Sequence, residues 1–256
     1  MAYRPRSLKH EYELFVEREI ENYKEAVPRS KLLSIGDQAV AALAANQQLA
    51  LTEMLLCEEV DRIIRDRVKI PKYDSWCRRR RKELQLHRQP ERCGIHPMGA
   101  LVRGMPKMAN GHVLVVGASE EGRVLYLAAH GCAVTAVDAT EEPAERLMDT
   151  IVGMGLTGQV RCLVGELKYW TPDVPLKGVY CRAHEFARLT RGERRSLIEQ
   201  LGEATAAGGL HLVAAGPGEE QHALLNELRR SYKGWRVSLS VEVTSEEVLW
   251  AEKSVA

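Results

Sequence analysis

Four residues, Thr244-Ser-Glu-Glu247, separate two apolar runs near the end of the chain, WRVSLSVEV over 235–243 and VLWAEKSV over 248–255. Both runs have strand composition, and so short a connection cannot carry a crossover, so the two must pair as an antiparallel hairpin. Upstream the opposite rule applies. From residue 112 short β-type runs alternate with helical ones: HVLVVGA, EEGRVLYLAAHG, CAVTAVDA, TEEPAERLMDTIVGMGL, QVRCLVGEL, KGVYCRA, TRGERRSLIEQLGEATAAGG, LHLVAAG and EEQHALLNELRRSYKGW. Strands joined through helices lie parallel, with helices on both faces of the sheet. The spacing Thr190-x-x-Glu193 marks one helix start as a capping box. The expected fold class is α/β, a mostly parallel sheet closed by a C-terminal antiparallel hairpin and preceded by an α-helical N-terminal region.

That N-terminal region has helical periodicity. SLKHEYELFVEREIENYKEAV places Leu8, Tyr12, Phe15, Val16, Ile20 and Tyr23 on one helix face, and Pro28 marks its end. A second stretch opens at Ser34 and Asp37 in capping-box spacing. It runs to Ile70 as one helix, or as two broken around Asn46, until Pro71 stops it. DSWCRRRRKELQLHR is a third, with Asp74 or Ser75 as cap. Residues 94–111, GIHPMGALVRGMPKMANG, have the Gly and Pro density of a linker or loop. Charge changes sign at the same place: residues 1–110 carry 21 Lys and Arg against 15 Asp and Glu, the remainder 15 against 20. The expected division is a helical region over 1–110 and a sheet domain over 111–256.

Composition narrows the class. A chain of 256 residues, 45% hydrophobic, has enough apolar side chains for a substantial core. No apolar run approaches the roughly 18 residues of a membrane span, and MAYRPRSLKHEYEL lacks the apolar segment of a secretory leader. No membrane association and a cytoplasmic location are expected. The six cysteines include no C-x-x-C pair, which suits reduced thiols. Cys93 and His96 have no second pair at ligand spacing, so no metal is expected. The run Arg78, Arg79, Arg80, Arg81, Lys82 has the charge to meet nucleic acid or another anionic partner. Against this, consecutive arginines spread around a helix, and several can lay their stems over neighbours such as Trp76. The sequence has no phosphate loop, nucleophile elbow or His-Glu-x-x-His helix.

The stretch over 113–138 carries a family resemblance. Val124-Leu-Tyr-Leu-Ala-Ala-His-Gly131 and Val134-Thr-Ala-Val-Asp138 stand at the distances of the first helix (ALYLAERG) and second strand (VTAVD) of class I S-adenosylmethionine-dependent methyltransferases. Gly165-Glu166-Leu167 and Ala207-Gly208-Gly209 follow at two further family landmarks. Residues 112–256 are similar to the small-molecule methyltransferases of the tellurite-resistance and thiopurine type; the N-terminal 100 residues lie outside the match. The resemblance implies a Rossmann-like sheet, S-adenosylmethionine as cofactor with S-adenosylhomocysteine as product, and a small-molecule acceptor. It also implies sites. Gly117, Ala118 and Ser119 would let the backbone approach the cofactor at a helix N-terminus. Asp138 and Ala139 would hold its ribose, Glu166 and Leu167 its adenine. Arg182, His184 and Glu185 would border methyl transfer, with His184 or Glu185 as an optional base.

Three positions depart from the family pattern. Val115 stands for an acid that holds the cofactor's amino group, and Ser119 and Glu121 stand for glycines. A Cβ in a left-handed glycine conformation is expected to cost on the order of 1–2 kcal/mol. Glu121 would set a carboxylate beside that of the cofactor, and Gly122 could take over the tight point of the turn. A non-catalytic descendant of the fold, acting as a binding or regulatory module, is the alternative. A third reading takes Gly117-x-Ser119-x-x-Gly122 with Asp138 as an NAD(P)-binding fingerprint, although no Tyr-x-x-x-Lys pair accompanies it. The N-terminal helices would cap the acceptor pocket, or form a homodimer through Ala42, Leu43 and Leu49.

Overall fold

The computed structural model describes residues 7–45 and 53–255. Helices α1 (Leu8–Ala26), α2 (Arg29–Ala45), α3 (Glu53–Val68) and α4 (Tyr73–His87) come first, followed by α5 (Ala100–Met108). The α/β part runs β1 (His112–Val116), α6 (Glu121–Ala129), β2 (Ala133–Asp138), α7 (Glu141–Gly153), β3 (Val160–Val164), β4 (Leu176–Arg182), α8 (Ala183–Ala187) and α9 (Arg191–Ala204). It ends with β5 (Thr205–Ala215), α10 (Glu219–Arg229), β6 (Trp235–Val241) and β7 (Glu247–Lys253).

The strands form one seven-stranded sheet in the order β3-β2-β1-β4-β5-β7-β6. Only β7 runs against the others, pairing antiparallel with both β5 and β6. The two runs thus form the expected hairpin, with residues 242–246 as the connection. Side chains of β1 alternate between two cores. Val113 and Val115 join Met105, Met108, Leu127 and Leu147 beneath α5, α6 and α7, while Leu114 and Val116 join Phe186, Leu197 and Leu228 beneath α8, α9 and α10.

The N-terminal helices form a further layer against α7. Phe15, Val16, Ile20, Ile35, Ile64 and Trp76 make its core, with Tyr12 and Tyr23 packed against it; Leu8, expected on the same face of α1, is exposed. Glu11, 3% exposed, accepts from the Thr157 amide at 2.9 Å, from the Thr157 hydroxyl at 2.8 Å and from the Gly158 amide. Arg80 donates to the Gly155 carbonyl at 3.0 Å, and Arg18 pairs with Asp149. The arginine run therefore divides: Arg80 turns inward onto the α7–β3 corner, whereas Arg78, Arg79, Arg81 and Lys82 are exposed. Leu43, expected on a dimer face, is buried at 7% exposure; Ala42 is half-buried and Leu49 lies outside the described residues.

Several local expectations need correction. Pro28 begins a helix as well as ending one, because its carbonyl accepts from Lys31 and Leu32 at the start of α2. Ser34 and Asp37 consequently lie inside that helix. Lys72, whose carbonyl accepts from Trp76, caps α4 in place of Asp74 or Ser75. Residues 100–108, expected in a loop, form α5, whose Leu101, Met105 and Met108 are buried against the sheet. The tract Thr205–Gly209, expected as a helix tail, already belongs to β5, with Thr205 in register with Leu176.

Candidate functional site

β1 lies between β2 and β4, so the crossovers from its two sides diverge and leave a crevice at the carboxyl ends of the strands. Gly117 ends β1 with φ +98, a conformation that favours glycine, and its amide donates to the Val137 carbonyl at 2.7 Å. Ala118, Ser119 and Glu120 then form a 3-10 turn that runs into α6. Ser119 and Glu121 have no left-handed backbone, so the expected strain is absent. Gly122 does not carry the tight point either. It lies within α6, where a Cβ would meet the Cys93 carbonyl oxygen at 2.2 Å, so its bare Cα admits the segment preceding α5. The Glu121 carboxylate turns away from the crevice and accepts from the Thr150 hydroxyl of α7 at 2.9 Å.

Asp138 stands at the tip of β2, and its Oδ1 accepts from the amide and hydroxyl of Thr140 at 2.9 and 2.6 Å. Ala139 beside it is exposed. Glu166 follows β3 on the same edge and pairs with Lys168 at 2.9 Å, while Leu167 packs partly into the core under α8 and α9. Arg182 ends β4. The structure thus brings Gly117, Asp138, Glu166 and Arg182 to one edge of the sheet. His184 and Glu185 are on α8, 3.1 Å from each other, with His184 exposed. The neighbouring Ala183 and Phe186 insert into the core on the opposite face from α5 and α6.

A cleft of about 210 Å³ opens between the ends of β4, β5 and β7, the segment 94–101 and the β6–β7 turn; Gly117, Asp138, Glu166 and Arg182 are not among its lining residues. Ile95, Leu101, Leu212 and Val248 give it apolar walls, and Arg123, Tyr180, His96 and Glu246 give it polar ones. Arg123 donates to the Tyr180 hydroxyl at 3.0 Å and lies 2.7 Å from Glu120; Arg182 reaches Glu246 at 2.5 Å and Glu120 at 3.6 Å. Burial opposes the charge on Arg182, but its hydrogen bond to Glu246 and the neighbouring Tyr180, Glu120 and Glu246 outweigh it and hold the pKa above the ordinary value. Burial raises that of Tyr180, so its phenol is neutral near pH 7. Arg103 ties Glu242 of the same turn at 2.7 Å.

Sequence reasoning missed Glu120, Tyr180 and Glu246, and took Arg123 only as a counter-charge to Glu121. The pair Glu120 and Arg123 had a local signal in its i,i+3 spacing; the joining of residues 120, 182 and 246 had none. Among the described residues no group of three or more His, Cys, Asp or Glu could hold a metal ion, and no helix is long and apolar enough to cross a membrane. Burial pushes the Cys93 thiol up to about 11.

Solved structures superimpose on this chain. A candidate rRNA methylase from Clostridium thermocellum aligns at TM-score 0.51 with 13% identity, over 61% of this chain and 94% of its own. An S-adenosylmethionine-dependent methyltransferase from Aquifex aeolicus aligns at 0.50 with 16% identity, over 67% and 97%. The chain has the class I methyltransferase fold. No family model matches the sequence, and neither does any curated protein. The methyltransferase fold also separates the chain from the dinucleotide-binding sheet, whose order 3-2-1-4-5-6 has no antiparallel strand between the fifth and sixth.

Proposed function

We propose that the chain is an S-adenosylmethionine-dependent methyltransferase for a small-molecule acceptor, similar in kind to the tellurite-resistance and thiopurine enzymes. The observation that carries this reading is the crevice at the β1–β4 switch point, where the Gly117 turn, Asp138 and the charged cluster around Arg182 share one edge of the sheet. The residues present fit the cofactor. The positive-φ glycine allows close backbone approach, with Ala118 and Ser119 completing the turn. Asp138 presents a carboxylate, the group that accepts from ribose hydroxyls, at the tip of β2. Ala139, Glu166 and Leu167 follow on the adenine side. In the turn after Gly117, the buried Glu120 Oε2 is ion-paired with Arg123 at 2.7 Å but lacks a hydrogen-bond partner among the described residues.

When bound, the cofactor supplies an electrophilic methyl group on a sulfonium. The protein's own part is to orient an acceptor and exclude water. The cleft beside Tyr180 and Arg123 suits a compact acceptor with an apolar body. Because the Tyr180 oxygen already accepts from Arg123, its own hydrogen is available to an acceptor heteroatom.

Calorimetry with S-adenosylmethionine and S-adenosylhomocysteine tests the reading, with NAD as control. Micromolar binding of both, reduced at least about tenfold in Asp138→Ala, is the expected result. A folded protein that binds neither would favour a second reading, a binding module on a retired methyltransferase fold. Its supporting observation is that Arg123, Arg182 and Arg103 are each already paired with a carboxylate of this chain.

A further inference from the structure

Val115, where the resemblance places an acid, is fully buried in the core under α5 and α6, so the first strand offers nothing to a cofactor ammonium. Resting on the reading above, we infer that Glu120 takes that role and binds the ammonium of the methionine moiety, from the turn instead of from the strand. The replacement of the glycine loop makes this possible. With Ala118–Glu120 wound into a 3-10 turn, the Glu120 side chain is directed between α6 and the end of β4, where it is 12% exposed.

The carboxylate there is ion-paired with Arg123 but incompletely hydrogen-bonded. Its Oε1 is 3.6 Å from Arg182 Nε, beyond hydrogen-bond length, and Arg182 is turned to Glu246 at 2.5 Å. Its Oε2 is 2.7 Å from Arg123 Nε, but that N–H is directed to the Tyr180 hydroxyl, and Oε2 is buried without a hydrogen-bond partner among the described residues. A buried acceptor in this state gains most from a donor that arrives with a ligand. An ammonium carries three N–H donors and a positive charge, and it would meet the two carboxylates Glu120 and Glu246 between the two guanidiniums. The mixture of signs matches the zwitterionic end of an α-amino acid: an arriving ammonium would take over a carboxylate and release its guanidinium to the carboxylate of the ligand.

The test compares S-adenosylhomocysteine with 5′-methylthioadenosine, which has the same adenosine and thioether but no amino-acid end, on wild type and Glu120→Gln. Circular dichroism establishes that the variant is folded; if it is not, Glu120→Asp, which keeps the charge on a shorter arm, replaces it. The inference requires that S-adenosylhomocysteine affinity fall roughly 10- to 100-fold while methylthioadenosine affinity holds. Unchanged S-adenosylhomocysteine binding in the variant overturns the inference and leaves the methyltransferase reading intact. An equal loss for both ligands also overturns it. A wild type that binds neither ligand refutes the reading of the site, and the inference falls with it.

Discussion

At the scale of single residues, the substitutions in the glycine motif are accommodated by changes of direction. Ser119 adopts a helical turn, Glu121 reaches across to Thr150, and Gly122 serves packing. Gly122→Ala tests this last role. Alanine normally favours a helix interior over glycine by about 1 kcal/mol, but here the added Cβ would lie 2.2 Å from a backbone carbonyl oxygen, which has no flexible side chain to move aside. We expect a net loss of roughly 1–3 kcal/mol in urea unfolding. A stabilised variant would show that α6 and the Cys93 segment are not in close contact.

His211 defines a second residue-scale prediction. It is fully buried, 2.8 Å from the Thr205 hydroxyl and 3.2 Å from that of Tyr232, and burial pushes its pKa down from 6.5 to about 3. The folded protein therefore holds the ring neutral where the unfolded chain would protonate it. Stability from this group is present above pH 6.5 and is lost as pH falls toward about 3. Urea unfolding of wild type and His211→Gln at pH 7.5, 6 and 5 should show a steeper acid loss in wild type; parallel curves would refute the assignment.

At the scale of elements, periodicity was the reliable signal. The strands and the final hairpin were legible because apolar runs of strand length alternate with helical ones. Helix α9 was legible from Thr190 and Glu193, which form a reciprocal capping box. Thr190→Ala should cost about 1 kcal/mol, read as a lower urea midpoint with unchanged slope. Where punctuation residues also serve packing, the signal failed. Gly99, Gly104 and Pro106 made α5 look like a loop, although a Cβ on Gly104 would come within 2.6 Å of Leu210. The tract Thr205–Gly209 read as helix because alanine has high helix propensity, but pairing with β4 decided otherwise. Gly117 and Asp138 could be read at strand ends, whereas the contacts of Arg182 with Glu120 and Glu246 depend on residues about 60 positions away in each direction.

At the scale of the molecule, polar contacts on the α7–β3 corner join the helical layer to the sheet, beside the Arg88 hydrogen bond to the Ala129 carbonyl and the packing of Leu84 on the sheet core. Glu11 gathers two amides and a hydroxyl from residues 157 and 158, and Arg80 takes the carbonyl of Gly155. Glu11→Ala leaves those donors without their carboxylate, and a loss of about 3 kcal/mol is expected. If the layer is held mainly by this corner, hydrogen exchange in α1 should accelerate far more than in β1. Equal acceleration in both would mean that the layer and the sheet open as one unit.

The latch at that corner also orders events in time. Glu11 and the corner that donates to it are separated by 146 and 147 residues in the chain. During synthesis the helical layer leaves the ribosome well before α7 and β3 exist to receive it, so the first hundred residues must wait with their anchoring carboxylate in water. Docking is then a late step, gated by the α7–β3 corner more than half the chain away.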